Sequence, residues 1–252
     1  MSGDVIRLQF HIKSGASATI TSQSTSKAFK SVAGRPDTYI RTDVSIEGGS
    51  LLALVPQPIQ CYNHSKLRQE TNITLTYSKA CNNVPPSLIF LDWYTGGRSN
   101  QDSGLWQLHS FHTCTELNYF NIDNGKTTTV FKDQIILSGG HELCRHMRSF
   151  NLICLVVLVG PRVSKVATRF MKDFSSRNDY EQSSNHGARN RNGFSGAHNH
   201  GVGLNHSDEQ LLVSCGSFPL AAGCEGEGVV VRIAAGSMEQ AGTYFFVSTF
   251  SV

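Results

Sequence analysis

The alternation of residues 5–12 restricts the fold more than any other feature of the chain. Ile6, Leu8, Phe10 and Ile12 alternate with Val5, Arg7, Gln9 and His11. A period of two sends successive side chains to opposite faces of an extended strand. Ser14-Gly15 then signals a turn, and Ala16 to Gln23 alternates again with Ala16, Ala18 and Ile20 on one face. Tyr39 to Ile46 repeats the pattern before Glu47-Gly48-Gly49 turns the chain, and the apolar run Leu51 to Val55 stops at Pro56-Gln57-Pro58. Further strands are predicted at Thr71–Tyr77, Leu88–Leu91, Trp106–Cys114, Val130–Leu137, Leu211–Cys215 and Val229–Ile233. Many short strands punctuated by turn residues imply a mainly β protein, built as packed sheets or as a coil of stacked strands. No exact internal repeat accompanies them, so periodicity alone does not define a solenoid.

Composition agrees. Charged residues make up only 16% of the 252 residues and glycines number 23, a balance that favours strands over a helical bundle. Helices are expected in two places. One is His141–Arg148. The other follows Pro161, where Val163, Val166, Ala167, Phe170 and Phe174 form one stripe and Lys165, Arg169 and Lys172 another. The apolar stripe reads as core packing. The basic one reads as a solvated face or as a docking surface for a partner. Residues 175–210 are rich in Ser, Asn, Gly, Arg and His with few apolar anchors, so a flexible insertion is expected there. The organisation predicted is a β-rich first part over 1–174, the insertion over 175–210, and returning strands over 211–252.

Several function classes lose support at this stage. The net charge of +3 gives no reason to expect nucleic acid. The apolar run from Leu152 to Gly160 is too short to cross a bilayer, and residues 1–12 contain no secretory h-region. The seven cysteines are odd in number and contain no C-x-x-C pair, which fits a reducing compartment. A cytoplasmic protein with no membrane partner is expected. There is no G-x-S-x-G, no P-loop and no H-E-x-x-H, and no enzymatic activity is expected.

Metal-binding residue types cluster once. Glu142, Cys144 and His146 in His141-Glu-Leu-Cys-Arg-His146 would share a face if that segment were extended, and such ligands suit nickel or zinc. No fourth ligand lies nearby. In the insertion, His186, His198, His200 and His206 could chelate loosely. Asp92 differs from all of these, because it interrupts the apolar run Leu88-Ile89-Phe90-Leu91 and precedes Trp93. A carboxylate there is expected to be partly buried, where charge is costly without compensation. It could simply bond turn amides before Gly96-Gly97. Arg98 could bind a carboxylate or pair with an internal aspartate.

Taken in order, several segments resemble the UreD family of urease accessory proteins (also called UreH). Gly3-Asp4 is similar to the family's Gly-Gly-Asp. The stretch from Thr21 through Ser26 and Lys27 to Phe29 resembles its Thr-x-Gln-x-x-(Ser/Thr)-Lys-aromatic block. Leu51 to Pro58, followed by Gln69, is similar to its Leu-x-Pro-x-Pro region, and Leu91 to Arg98 to its Asp-x-x-x-x-Gly-Arg block. Trp106, Asp133 with Leu137, and Met147 through Gly160-Pro161 continue the series. The resemblance covers residues 3–162 and 211–236. It also implies a sequence shortened at both ends relative to the family.

The resemblance implies a β-helix-like stack of short strands with about two helices. It implies a urease maturation factor that works with the accessory protein UreF and the GTPase UreG on apo-urease. Nickel would pass through an internal tunnel in transit, with no tightly bound cofactor. Such a conduit needs scattered acidic and hydroxyl groups, since a strong multidentate site would trap the ion. Asp4, Ser26, Asp92 and Asp133 match the family's acidic or small polar positions. Two alternatives stand beside this reading: a strand-rich metal-dependent hydrolase using the His141–His146 cluster, and a degenerate paralogue without a urease role.

Overall fold

The computed structural model describes residues 2–78, 84–97, 105–139, 141–147, 150–185, 201–206, 209–220 and 227–241. In chain order its strands are β1 (Val5–Ile12), β2 (Ser17–Ile20), β3 (Ser26–Ala28), β4 (Thr38–Ile46), β5 (Leu51–Leu54), β6 (Ile59–Cys61), β7 (Lys66–Tyr77) and β8 (Ser87–Thr95). They continue with β9 (Ser110–Asn121), β10 (Lys126–Ser138), β11 (Leu152–Val159), β12 (Gly201–His206), β13 (Glu209–Pro219) and β14 (Glu227–Ala235). The helices are α1 (His141–Met147) and α2 (Ser164–Asn185).

The chain is mainly β, as expected. A five-stranded sheet runs β1-β4-β7-β9-β10, and a nine-stranded sheet holds β12-β13-β14-β11-β8-β5-β2 with β3 and β6 alongside. From β1 to β9 the chain passes back and forth between the sheets. Strands β1, β4, β7 and β9 are therefore parallel neighbours, and so are β2, β5 and β8. This is the stacking a coil of strands requires. It stops at β9: β10, β11, β13 and β14 pair antiparallel.

The alternation read from the sequence sets the layers. Leu67, Ile73 and Leu75 of β7 face inward with Leu88, Phe90 and Tyr94 of β8, and all are buried. The other face of the larger sheet carries Cys154, Val156, Leu158, Val231 and Ile233, which pack under Val163, Ala167, Phe170 and Phe174. The predicted apolar stripe of α2 is that contact. The run Leu152–Val159 is apolar on both faces because one face meets the smaller sheet and the other meets α2.

One expectation changes. The strand predicted from Trp106 begins only at Ser110. Trp106 adopts φ 61°, its indole N–H donates to the Phe150 carbonyl at 2.7 Å, and its ring lies where a Cβ on Gly96 would come within 2.7 Å. Regular structure enters residues 175–210 from both sides. Helix α2 continues to Asn185, and β12 takes its ladder from β13, a pairing that needs no apolar anchors of its own. Residues 186–200, with His186, His198 and His200, lie outside the described residues, as does Arg98.

Candidate site: a polar belt between the sheets

The interior is apolar at both ends and polar in the middle. One apolar cluster contains Val44, Ile73, Phe90, Leu117 and Phe131. Another contains Leu67, Tyr94, Trp106 and Phe111. Between them, the inward positions of neighbouring strands turn polar at one level. Across the smaller sheet, Thr42 is in register with Thr71, Thr71 with Thr115, and Thr115 with Asp133. Beside this row, Gln69 is in register with Thr113. Threonine keeps the β-branched shape that strands favour while lining the interior with hydroxyl groups. Across the larger sheet, Asp92 and Arg232 flank Leu155 in the matching row.

Asp92 is the buried charge of this belt, 6% exposed. Its Oδ2 accepts from Gln69 Nε2 at 3.0 Å and from Tyr94 Oη at 2.5 Å. Those side chains, and not turn amides before Gly96, hold the carboxylate. The Asp92 carboxyl is pushed up to about 6: burial is the largest cause, the two hydrogen bonds oppose it, and the negative charge of Asp133 adds to it. Burial dominates because an ionised carboxylate loses its hydration there. Gln69 Oε1 is buried without a hydrogen-bond partner among the described residues.

Next to Asp92 lies a cavity of about 280 Å³. Its polar lining includes Ser26, Thr42, Gln69, Thr71 and Asp92, and Ile6 and Leu8 of β1 line it as well. Ile6 is 41% and Leu8 44% exposed, so the cavity opens along that edge. On the far side of the belt, Arg232 donates to Asp133 Oδ1 from Nη2 at 2.6 Å and from Nε at 3.1 Å. This pair joins the two sheets.

The four sequence-predicted residues are thus distributed unequally. Ser26 and Asp92 line one cavity, Ser26 at its exposed end. Asp133 belongs to the same belt but not to the cavity lining. Asp4 is exposed, just before β1, and lies outside the lining. The second predicted cluster does not assemble. Residues 141–147 form a helix, and at about 100° per residue Cys144 points away from the face shared by Glu142 and His146. Among the described residues no group of three or more His, Cys, Asp or Glu could hold a metal ion. Sequence reasoning missed Tyr94, Arg232 and the threonine rows. The available signal was polar residues at inward positions of strand after strand.

Fold and site together define a two-sheet body with a cavity that ends at a buried acid. Against known proteins, the sequence profile described as UreD urease accessory protein matches residues 1–248. The chain belongs to the UreD urease accessory protein family. It is similar to urease accessory protein D of Arabidopsis thaliana, 24% identical over 241 residues that are 95% of this chain and 74% of that protein. It is 25% identical over 170 residues to urease accessory protein D of Oryza sativa subsp. indica, covering 66% of this chain and 50% of the relative. With urease accessory protein UreD of Anaeromyxobacter sp. it shares 24% identity over 179 residues, 68% of this chain and 53% of the relative. The chain therefore spans from about half to three quarters of the length of these relatives.

Proposed function

We propose that this protein is a urease maturation factor without catalytic activity of its own. It acts in the cytoplasm, joins UreF and UreG on apo-urease, and conducts nickel from the GTPase towards the urease active site. Family membership and the names of its relatives support the maturation role. One observation carries the conduction reading: the cavity leads from the exposed Ser26 to the buried Asp92, beside which Gln69 Oε1 has no hydrogen-bond partner among the described residues.

The chemistry suits an ion in transit. A hydrated dication entering the cavity exchanges water for threonine hydroxyls and the Gln69 carbonyl oxygen. At Asp92 it meets a carboxylate that burial makes reluctant to ionise. The dication lowers that cost while it is present and leaves no tetradentate site behind it. Beyond Asp92, Asp133 offers a second carboxylate, already partly neutralised by Arg232. Nickel is held weakly at each step, as release requires.

The test is reconstitution of apo-urease with UreF, UreG, GTP and nickel, with and without this chain. Activation and co-purification of the complex only when the chain is present are expected. Equal activation without it, or no association with any of the three partners, contradicts the proposal.

A further inference from the structure

Away from the cavity, three surface loops converge beside the apolar cluster that holds Trp106 and Leu108. Backbone bonds fix them together. Ser31 N–H donates to the His64 carbonyl at 2.9 Å, His64 N–H to the Gln107 carbonyl at 2.7 Å, and His109 N–H to the Ser65 carbonyl at 2.8 Å. His64 is held at φ 60°, a conformation uncommon for residues with a Cβ. The result is an exposed histidine pair, with His64 Nδ1 3.3 Å from His109 Nε2 and ring centroids 5.0 Å apart. The other nitrogen of His109, Nδ1, lies 3.2 Å from Ser31 Oγ.

We propose that His64 and His109 form a surface site for a divalent first-row transition ion, with Ser31 orienting His109. Imidazole nitrogens bound to one such ion at about 2.0–2.1 Å, in neighbouring coordination positions, stand about 2.9–3.4 Å apart. The observed 3.3 Å meets that spacing. A hydrogen bond between the facing nitrogens requires a proton on one of them, and on binding it passes through solvent to the far nitrogen of the same ring, His64 Nε2 or His109 Nδ1. Binding requires a lone pair on both. With the His109 proton on Nδ1, Ser31 Oγ accepts it, and His64 Nδ1 and His109 Nε2 both face the ion. Metal-bound histidines characteristically donate their second nitrogen in this way. Two protein ligands leave coordination positions to water or to a group from another molecule, so exchange is rapid. Neither histidine lines the cavity, and the site does not depend on the proposed nickel path.

Titration of the full chain with Zn²⁺ and with Ni²⁺ tests the site. His64→Asn and His109→Gln are each expected to weaken one binding step about tenfold or more, and Ser31→Ala to weaken it severalfold. Asn is chosen at position 64 because it tolerates the left-handed backbone. His112→Gln is the control, since His112 Nε2 instead contacts Gln134 at 2.7 Å, and its titration should match the parent chain. Should His64→Asn fail to fold, Zn²⁺ protection of the parent chain from diethyl pyrocarbonate replaces it. Slower modification of His64 and His109, but not of His112, is then expected. Parent-like titration of both folded histidine variants, or equal modification with and without Zn²⁺, overturns the proposal and leaves the pair as an ordinary hydrogen bond.

Discussion

Gln69 and Asp92 lie on opposite sheets, and the amide of one donates to the carboxylate of the other at 3.0 Å across the interior. An ionised acceptor there fixes which end of the Gln69 amide faces it, because only Nε2 can donate. Oε1 is consequently turned elsewhere, buried and without a partner among the described residues. Orphaned acceptors of this kind are rare in folded proteins because they cost about 1–3 kcal/mol. The proposed function assigns this acceptor to the ion in transit.

The raised Asp92 carboxyl makes a signed prediction about stability. Its folded value of about 6 lies above the ordinary aspartate value of 3.8, so the folded state binds the proton more tightly. Stability from this group is present below the lower value and is lost as pH rises through the higher one, by up to about 3 kcal/mol. Asp92→Asn should therefore be more stable than the parent chain at about pH 8, with the difference shrinking towards about pH 5. Denaturant titrations at both pH values check this. The acids held low, Asp43 and Glu70, act equally in both proteins and cancel.

Removing Arg232 should expose the cost of the opposite charge. The Asp133 side chain is 12% exposed and Arg232 48%, so solvent screens the pair in part. We expect Arg232→Gln to cost about 1 kcal/mol and a double-mutant cycle with Asp133→Asn to give a coupling near about 1 kcal/mol. A coupling indistinguishable from zero would mean that this bridge between the sheets is inert.

Gly96→Ala should be severely destabilising, because the new Cβ would stand 2.7 Å from the Trp106 ring. Overpacking against a fully buried indole costs about 1–3 kcal/mol or more. Trp106→Phe in the same chain should restore part of the loss, measured as the shift in denaturation midpoint.

Phe170 is fully buried between α2 and the larger sheet. Phe170→Ala should cost about 3–5 kcal/mol. Amide exchange along α2 should rise more than exchange in β4 and β7, which lie in the other sheet.

Much of the fold was legible because it rests on alternation. Strands β1, β4 and β5 appear in the sequence nearly as the structure draws them, and the stripe of Val163, just before α2, with Ala167, Phe170 and Phe174 of α2 is a helical period. The start of β9 was not legible, because the left-handed backbone at Trp106 answers to Gly96 and Phe150, both distant in sequence. Asp92 could be singled out as a charge breaking an apolar run. Its partners could not, since Gln69 is 23 residues away along the chain and on another sheet. The Glu142, Cys144 and His146 grouping assumed an extended segment, and helix formation separates them. The His64–His109 pair spans 45 residues, and no local pattern announces it.

Nickel content of urease co-expressed with UreF, UreG and Asp92 variants tests the central claim most directly. With Asp92→Ala, nickel per active site should fall severalfold or more while the accessory complex still co-purifies at parent levels, and Asp92→Glu should retain part of the loading. Full loading by a stable Asp92→Ala complex would contradict passage of the metal through this interior.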